Sequence, residues 1–230
     1  MYSKKAVILL SGGIDSATTA AIAINEGFRL FAITFVYGQK HTIEINFAKQ
    51  LVRSFKIKDH IIIEVPTKIF SSSSLSVESN EDIPKNRDIS FSDEIPSTYV
   101  PGRNILFLSY ALAYAESIDA RDIFIGVNQL DYSGYPDCRP EFIKAFENMA
   151  NIGTKSGTAG ERFSIHVPLI DLKKWEIIRM GINLGVDYSI THSCYDPSPN
   201  GLSCGECDSC QIRIKGFIEA SVLDPTKYKK

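Results

Sequence analysis

No apolar run in this 230-residue chain approaches the roughly 20 residues needed to cross a bilayer. Neither sign of charge prevails: 25 Lys and Arg stand against 27 Asp and Glu, for a formal net charge of −2. That balance gives no support to broad electrostatic binding of nucleic acid or of an acidic membrane. Lys4 and Lys5 precede an apolar run, but the run stops at Leu10 and meets glycines in place of a signal-peptide core with a small-residue cleavage site. A soluble, cytoplasmic protein is the expectation. Internal repeats are also lacking. What the chain does have is 44% hydrophobic residues, enough for a full core, in a length that suits one α/β domain with an appendage.

Apolar runs alternate with helical patterns in the order of a parallel sheet. The pattern predicts strands at Ala6 to Leu10, Leu30 to Val36, His60 to Val65 and Asp122 to Val127. Helices are expected at Asp15 to Glu26, Ile43 to Phe55, Asn104 to Ile118 and Pro140 to Asn151, with Gly27 closing the first. Strand, crossover helix and strand in repetition describe an α/β, doubly wound parallel sheet, whose ligands bind beyond the carboxyl ends of the strands. Two segments interrupt the pattern. Residues 66–98 carry four consecutive serines and then a polar, acidic run, and divide between a solvated insertion and a lid over substrate. Residues 153–160 look flexible and carry Lys155, with Arg162 following, as cations for phosphate in a closed state.

The first strand breaks into Ser11-Gly12-Gly13-Ile14-Asp15-Ser16-Ala17-Thr18. Glycines after a buried strand allow a tight turn with positive φ. Such a turn delivers backbone N–H groups, the hydroxyls of Ser11, Ser16 and Thr18, and a helix N-terminus to one anion. Lys-Ser/Thr does not follow the glycines, and the wider glycine spacing of dinucleotide folds is missing, which excludes the two commonest nucleotide loops. Asp15 suits Mg²⁺, directly or through water, or a helix N-terminus favoured by its dipole.

Of five cysteines, Cys194, Cys204, Cys207 and Cys210 crowd the last quarter and Cys138 stands alone. Gaps of two residues let thiolates converge on one metal, and Cys194 closes the shell of a structural zinc site. The competing readings are an iron–sulfur cluster and disulfides. The first lacks the usual fourth cysteine and proline just downstream, and the second needs an oxidising compartment. His192 reads as structural, since four cysteines fill the shell, and Cys138 reads as a small packed residue.

The SGGIDS stretch resembles the pyrophosphate loop of the N-type ATP pyrophosphatases, which cut ATP between the α- and β-phosphates. From about Lys5 to Phe217 the chain resembles one branch, the 7-cyano-7-deazaguanine synthase family. The residues that carry this are Tyr37-Gly38-Gln39-Lys40-His41 with Glu44, Val100 to Asn104, Gly126-Val127-Asn128 and Asp131 to Phe142. Ser193-Cys194-Tyr195 and Cys204 to Cys210 complete the set, followed by Arg213 and Gly216-Phe217. The resemblance implies a PP-loop ATPase fold of the adenine nucleotide alpha hydrolase type over 1–190, and a four-cysteine zinc segment over 191–230.

It also implies a carbon–nitrogen ligase that takes 7-carboxy-7-deazaguanine, ammonia and ATP, with Mg²⁺, to the nitrile. A homodimer is implied, with no stable nucleic-acid or membrane partner. ATP would be bound by Leu10 to Thr18, Phe35 and Tyr37. Asp15, Arg103 and Lys155 would act in catalysis. Gln39, His41, Asp131, Tyr135, Asp137, Arg139 and Glu141 would contact the deazaguanine, by carboxylates on its N–H edge and rings on its face. Two alternatives remain: a related enzyme that adenylates a tRNA base or amide for sulfur or amine transfer, and a non-catalytic zinc knuckle binding nucleic acid.

Overall fold

Strand β1 (Lys4–Leu9) lies between β2 (Phe28–Val36) and β4 (Asp122–Phe124), with β3 (Asp59–Glu64) and β5 (Ser164–His166) at the two edges. All four pairings are parallel, with Ala6 opposite Leu30 and Ile8 opposite Phe124. The computed structural model describes residues 4–40, 43–86, 95–128 and 134–229. The chain leaves β1 toward one edge through β2 and β3, then returns to build the other edge with β4 and β5. That reversal opens a crevice beyond the carboxyl end of β1.

Side-chain alternation along β1 divides the core in two. Ala6 and Ile8 face α1 (Ile14–Asn25), α6 (Lys174–Asn183) and α7 (Asp208–Glu219) through Ala17, Ala20, Ile177, Ile178 and Phe217. Val7 and Leu9 face α3 (Arg103–Ser117) and α4 (Pro140–Gly153) through Leu108, Ala111, Ile143 and Phe146. Helix α2 (Ile43–Ser54) closes the first face with Leu51. Fully burying one such aliphatic side chain contributes roughly 1.5–3 kcal/mol. The alanines of α1 let it lie close on the sheet, and Ala17, Ala20 and Ala23 are wholly buried. No described helix is long and apolar enough to cross a membrane.

The structure departs from the sequence pattern in several places. β4 stops at Phe124, short of Val127, because the chain there turns in against α1: a Cβ on Gly126 would lie 2.9 Å from the Asp15 carbonyl carbon. β5 has only three residues, too few for a periodic signal. α6 and α7 are additional helices, the first opened by the Glu176 carboxylate accepting the Lys173 N–H at 2.8 Å.

Residues 153–160 are not a flexible tether. Lys155–Thr158 form a short helix, α5, capped by Thr154, which accepts the Gly157 N–H at 3.1 Å. Gly157 is there for close packing, since a Cβ would lie 2.5 Å from the Asn151 oxygen. The serine run in the insertion is exposed at Ser71 and Ser72 and then turns inward. Ser73 and Ser74 are fully buried, and Val77 N–H bonds the Gly38 oxygen at 2.7 Å. Farther on, Lys85 bridges to Cys207 and pairs with Asp196 at 2.7 Å.

Arg213 on α7 is 2% exposed. Its guanidinium donates to the Tyr188 oxygen (3.1 Å), Thr191 Oγ1 (2.9 Å), Ser193 Oγ (3.4 Å) and the Asp224 carboxylate (3.0 Å). Tyr228 also donates to Asp224. Burial opposes the Asp224 charge, but the Arg213 hydrogen bonds outweigh it and hold the carboxyl below its usual range. Removing one partner of such a pair leaves the other charge buried. Arg213→Met is therefore expected to lower unfolding stability by about 3–5 kcal/mol in urea titrations. Because the folded pKa of Asp224 is depressed, its contribution is complete above the unfolded carboxylate pKa of about 4 and fades as pH falls below it. The stability gap between the native protein and Asp224→Asn should narrow in that acid range.

Candidate active site and metal centre

A cavity of about 280 Å³ occupies the crevice beyond β1, β2 and β4. Its floor is the loop from β1 into α1. The Ser16 hydroxyl donates to the Gly13 oxygen at 3.2 Å and lies 3.2 Å from both the N–H and the hydroxyl of Ser11, so the loop is closed by its own serines. Only Gly12 of the glycine pair has positive φ, at 90°. A Cβ on it would lie 2.6 Å from the Glu44 oxygen, and its own carbonyl accepts the His192 N–H at 2.9 Å. Gly13 has an ordinary φ of −86° and stands just before α1, whose free N–H groups and dipole favour an anion.

Asp15 is the acidic residue of that first turn. Lys174, from α6, places Nζ 2.7 Å from both carboxylate oxygens, and Asn128 Nδ2 donates to one at 3.2 Å. Lys174 and Arg103 both line the cavity. Burial works against the Arg103 charge, but Tyr37, Cys138, Asp137 and Tyr135 around it more than compensate and keep the guanidinium cationic. Burial raises the Tyr37 hydroxyl above its usual value. Phe35 stacks flat on Phe107 with centroids 3.8 Å apart, and Tyr37 meets the edge of the same ring at 5.5 Å.

The four clustered cysteines are all buried, with sulfurs within 4.8 Å of one another. A tetrahedron with metal–sulfur bonds of about 2.3 Å places its sulfurs about 3.8 Å apart, and Cys204 and Cys210 already lie at 3.9 Å. Backbone N–H groups of Asp196 and Cys204 point at the Cys194 sulfur (3.3 and 3.1 Å), and that of Tyr195 points at Cys207 (3.4 Å). Hydrogen bonding within the cluster holds the Cys207 thiol below its ordinary pKa and pushes those of Cys194 and Cys210 up. Four buried sulfurs with oriented N–H donors suit a metal ion. His192 lies outside the set: its ring stacks on Phe47 at 5.1 Å and Nε2 donates to the Cys194 oxygen at 3.1 Å.

A profile of the family described as "Queuosine biosynthesis protein QueC" matches residues 5–221. The chain belongs to the QueC family. It is 56% identical to the 7-cyano-7-deazaguanine synthase of Citrifermentans bemidjiense over 227 residues, 99% of each chain. With the protein of the same name from Paramagnetospirillum magneticum it shares 54% over 226 residues, 98% of this chain and 99% of that one. Among solved structures, NMN synthetase from Francisella tularensis matches with a TM-score of 0.50 and 20% identity, covering 95% of this chain and 77% of that one. At that identity the likeness speaks for the fold alone.

The QueC-family cavity gathers Leu10, Ser11, Gly13, Ile14, Asp15, Ser16, Phe35, Tyr37, Gln39, Arg103 and Tyr135, all expected from sequence. Others lie elsewhere. Ala17 and Thr18 are turned into the core, where the Thr18 hydroxyl bonds the Ile14 oxygen at 2.9 Å and meets Tyr188 at 2.8 Å. Gly12 is backed against α2. Asp137 accepts the Asn104 N–H at 2.8 Å at the head of α3 and lies outside the cavity lining. Arg139 and Glu141 are exposed at the start of α4, outside the lining. His41 and Asp131 lie outside the described residues.

Lys155 lies outside the cavity lining. Its neighbour Ser156 bonds Glu116 at the far end of α3, about 20 Å along a 15-residue helix from Arg103 at the cavity end. Lys174 is the cation sequence reasoning missed. Its signal was the apolar spacing Ile177, Ile178 and Gly181, which marks a helix behind the loop. For the cysteines, Cys207→Ser is expected to lose bound metal, read by atomic absorption, together with several degrees of melting temperature. Unaltered metal content would remove Cys207 from the set.

Proposed function

We infer that this QueC-family chain is a 7-cyano-7-deazaguanine synthase, an ATP-dependent ligase. The observation that carries the reading is identity above 50% along essentially the whole length of proteins so named. The chemistry accounts for the cavity. A carboxylate resists ammonia because its oxygen is a poor leaving group. Transfer of AMP to that oxygen, with pyrophosphate leaving, lets ammonia form the amide. A second adenylation, on the amide oxygen, lets AMP depart as the carbon–nitrogen triple bond forms.

In both half-reactions the loop of Ser11, Gly13 and Ser16, with the N-terminus of α1, holds the departing pyrophosphate. Lys174 and Arg103 neutralise the charge that develops there. Phe35 and Tyr37 wall the adenine, while Gln39 and Tyr135 face the deazaguanine, with His41 and Asp131 kept as further contacts. Mg²⁺ arrives as the counter-ion of ATP. Asp15 is the carboxylate nearest that end, and because Lys174 occupies both its oxygens, it fits a metal only by exchanging that partner. Zn²⁺ fits the four cysteines as a closed structural site with no open position for chemistry. A homodimer and a cytoplasmic setting complete the reading.

Incubation with ATP, Mg²⁺, ammonium and 7-carboxy-7-deazaguanine should yield AMP, the amide and then the nitrile by mass spectrometry. Bound ATP without AMP would move the reading to another adenylated substrate. Lys174→Met should keep its fold by circular dichroism yet lose AMP formation about 100-fold. Undiminished turnover would return Lys174 to a purely structural role.

A further inference from the structure

Each N–H proton shed in this chemistry needs an acceptor. Ammonium must lose one before its lone pair can attack, and the adenylated amide must lose another as the nitrile forms. The carboxylates near the cavity differ in their commitments. Asp15 is neutralised by Lys174 at both oxygens, and Asp137 is engaged by the Asn104 N–H at the head of α3. Glu44, in the first turn of α2, is half-buried in the cavity lining and meets the neutral Gln39, whose Nε2 donates to Oε1 at 2.6 Å. Gln39 is itself fixed, since its Oε1 accepts the Tyr37 N–H at 2.8 Å and Nε2 also reaches the Phe35 oxygen at 3.4 Å.

The other ionisable groups of the lining near Glu44 are Tyr37 and Lys40 after β2, Arg103 from α3, Tyr135, and His192, whose ring stacks on Phe47 of α2. Tyr37 remains a protonated phenol at neutral pH. Burial pushes Glu44 up to about 7, with the Gln39 hydrogen bond and Arg103 pulling the other way, so the group exchanges protons in the neutral range. Arg103 disfavours a second cation beside it, which keeps nitrogen that has given up its proton as ammonia.

We propose that Glu44 is the catalytic base of this site, taking the N–H proton from ammonium in amide formation and from the adenylated amide in nitrile formation. In the first step the carboxylate takes a proton from ammonium. The freed lone pair forms the carbon–nitrogen bond, the carbon–oxygen bond breaks toward AMP, and the second proton that the added nitrogen loses in becoming the amide passes to solvent. In the second, the adenylated amide gives one of its two N–H protons to solvent and the other to Glu44, and that last N–H pair becomes the third carbon–nitrogen bond as the carbon–oxygen bond breaks and AMP leaves. Solvent receives each proton from Glu44 between steps. The inference rests on the ligase reading above.

Glu44→Gln keeps the shape and removes the base. Exchange of pyrophosphate into ATP, dependent on 7-carboxy-7-deazaguanine, reads adenylation before any N–H proton moves, and should stay within about threefold. Ammonium-dependent amide formation should fall by about 100-fold or more and recover as rising pH supplies free ammonia. Hydroxylamine, a nucleophile already neutral at assay pH, should still give the hydroxamate at nearly the native rate. Unchanged ammonium use, or exchange and hydroxamate formation falling in parallel with it, overturns the proposal. Where Glu44→Gln does not fold, Glu44→Asp is read instead: selective loss with ammonium supports the base, and equal loss with both nucleophiles overturns it. No exchange in the unaltered protein overturns the substrate reading itself.

Discussion

A guanidinium buried without water has to be surrounded by acceptors, and Arg213 is surrounded by the segment that the rest of the site needs in place. It holds the Tyr188 oxygen, Thr191 and Ser193 on one side and Asp224 on the other. Between those contacts the chain offers the His192 N–H to the Gly12 oxygen and starts the cysteine cluster at Cys194. One side chain thus ties the segment that contacts the glycine loop and begins the cysteine cluster to the C-terminal tail. The cost of burying its charge is met by hydrogen bonds on every side, which ties the position of those groups to one another.

Charge inside the cavity is organised by the same rule, in which every buried ion has a partner or shifts its protonation. Asp15 and Lys174 neutralise each other at the floor. Arg103 sits among phenols and a carboxylate that keep it cationic. In the insertion Ser73, Ser74 and Ser76 are buried, Leu75 and Thr98 line the cavity, and Lys85 bridges to Cys207, so the cavity wall and the cysteine cluster are tied to one segment of the chain.

Much of this was legible in the chain. The strands at β1, β2 and β3, and helices α1 to α4, follow from hydrophobic period alone, because buried parallel strands and their crossover helices leave strong patterns. The glycine loop and the cysteine spacing are local motifs whose geometry is written in a few consecutive residues. What escaped depends on contacts across the chain. Lys155 and Lys174 look alike as sequence, and only the sheet order puts the second behind Asp15 and the first at the other end of α3. Asp137 carries a carboxylate suited to a base edge, yet a neighbouring helix start claims it. β5 is too short to leave a period, and Gly157 gives the same letter for close packing that it would for freedom.

The loop at the start of the chain is finished only by its end. Asp15 waits for Lys174, 159 residues later, and Gly12 waits for His192. During synthesis the first strand and helix leave the ribosome long before either partner exists. A nascent chain therefore carries the glycine loop without the contacts that complete it in the folded protein, and the loop is finished only when contacts of the longest sequence separation close.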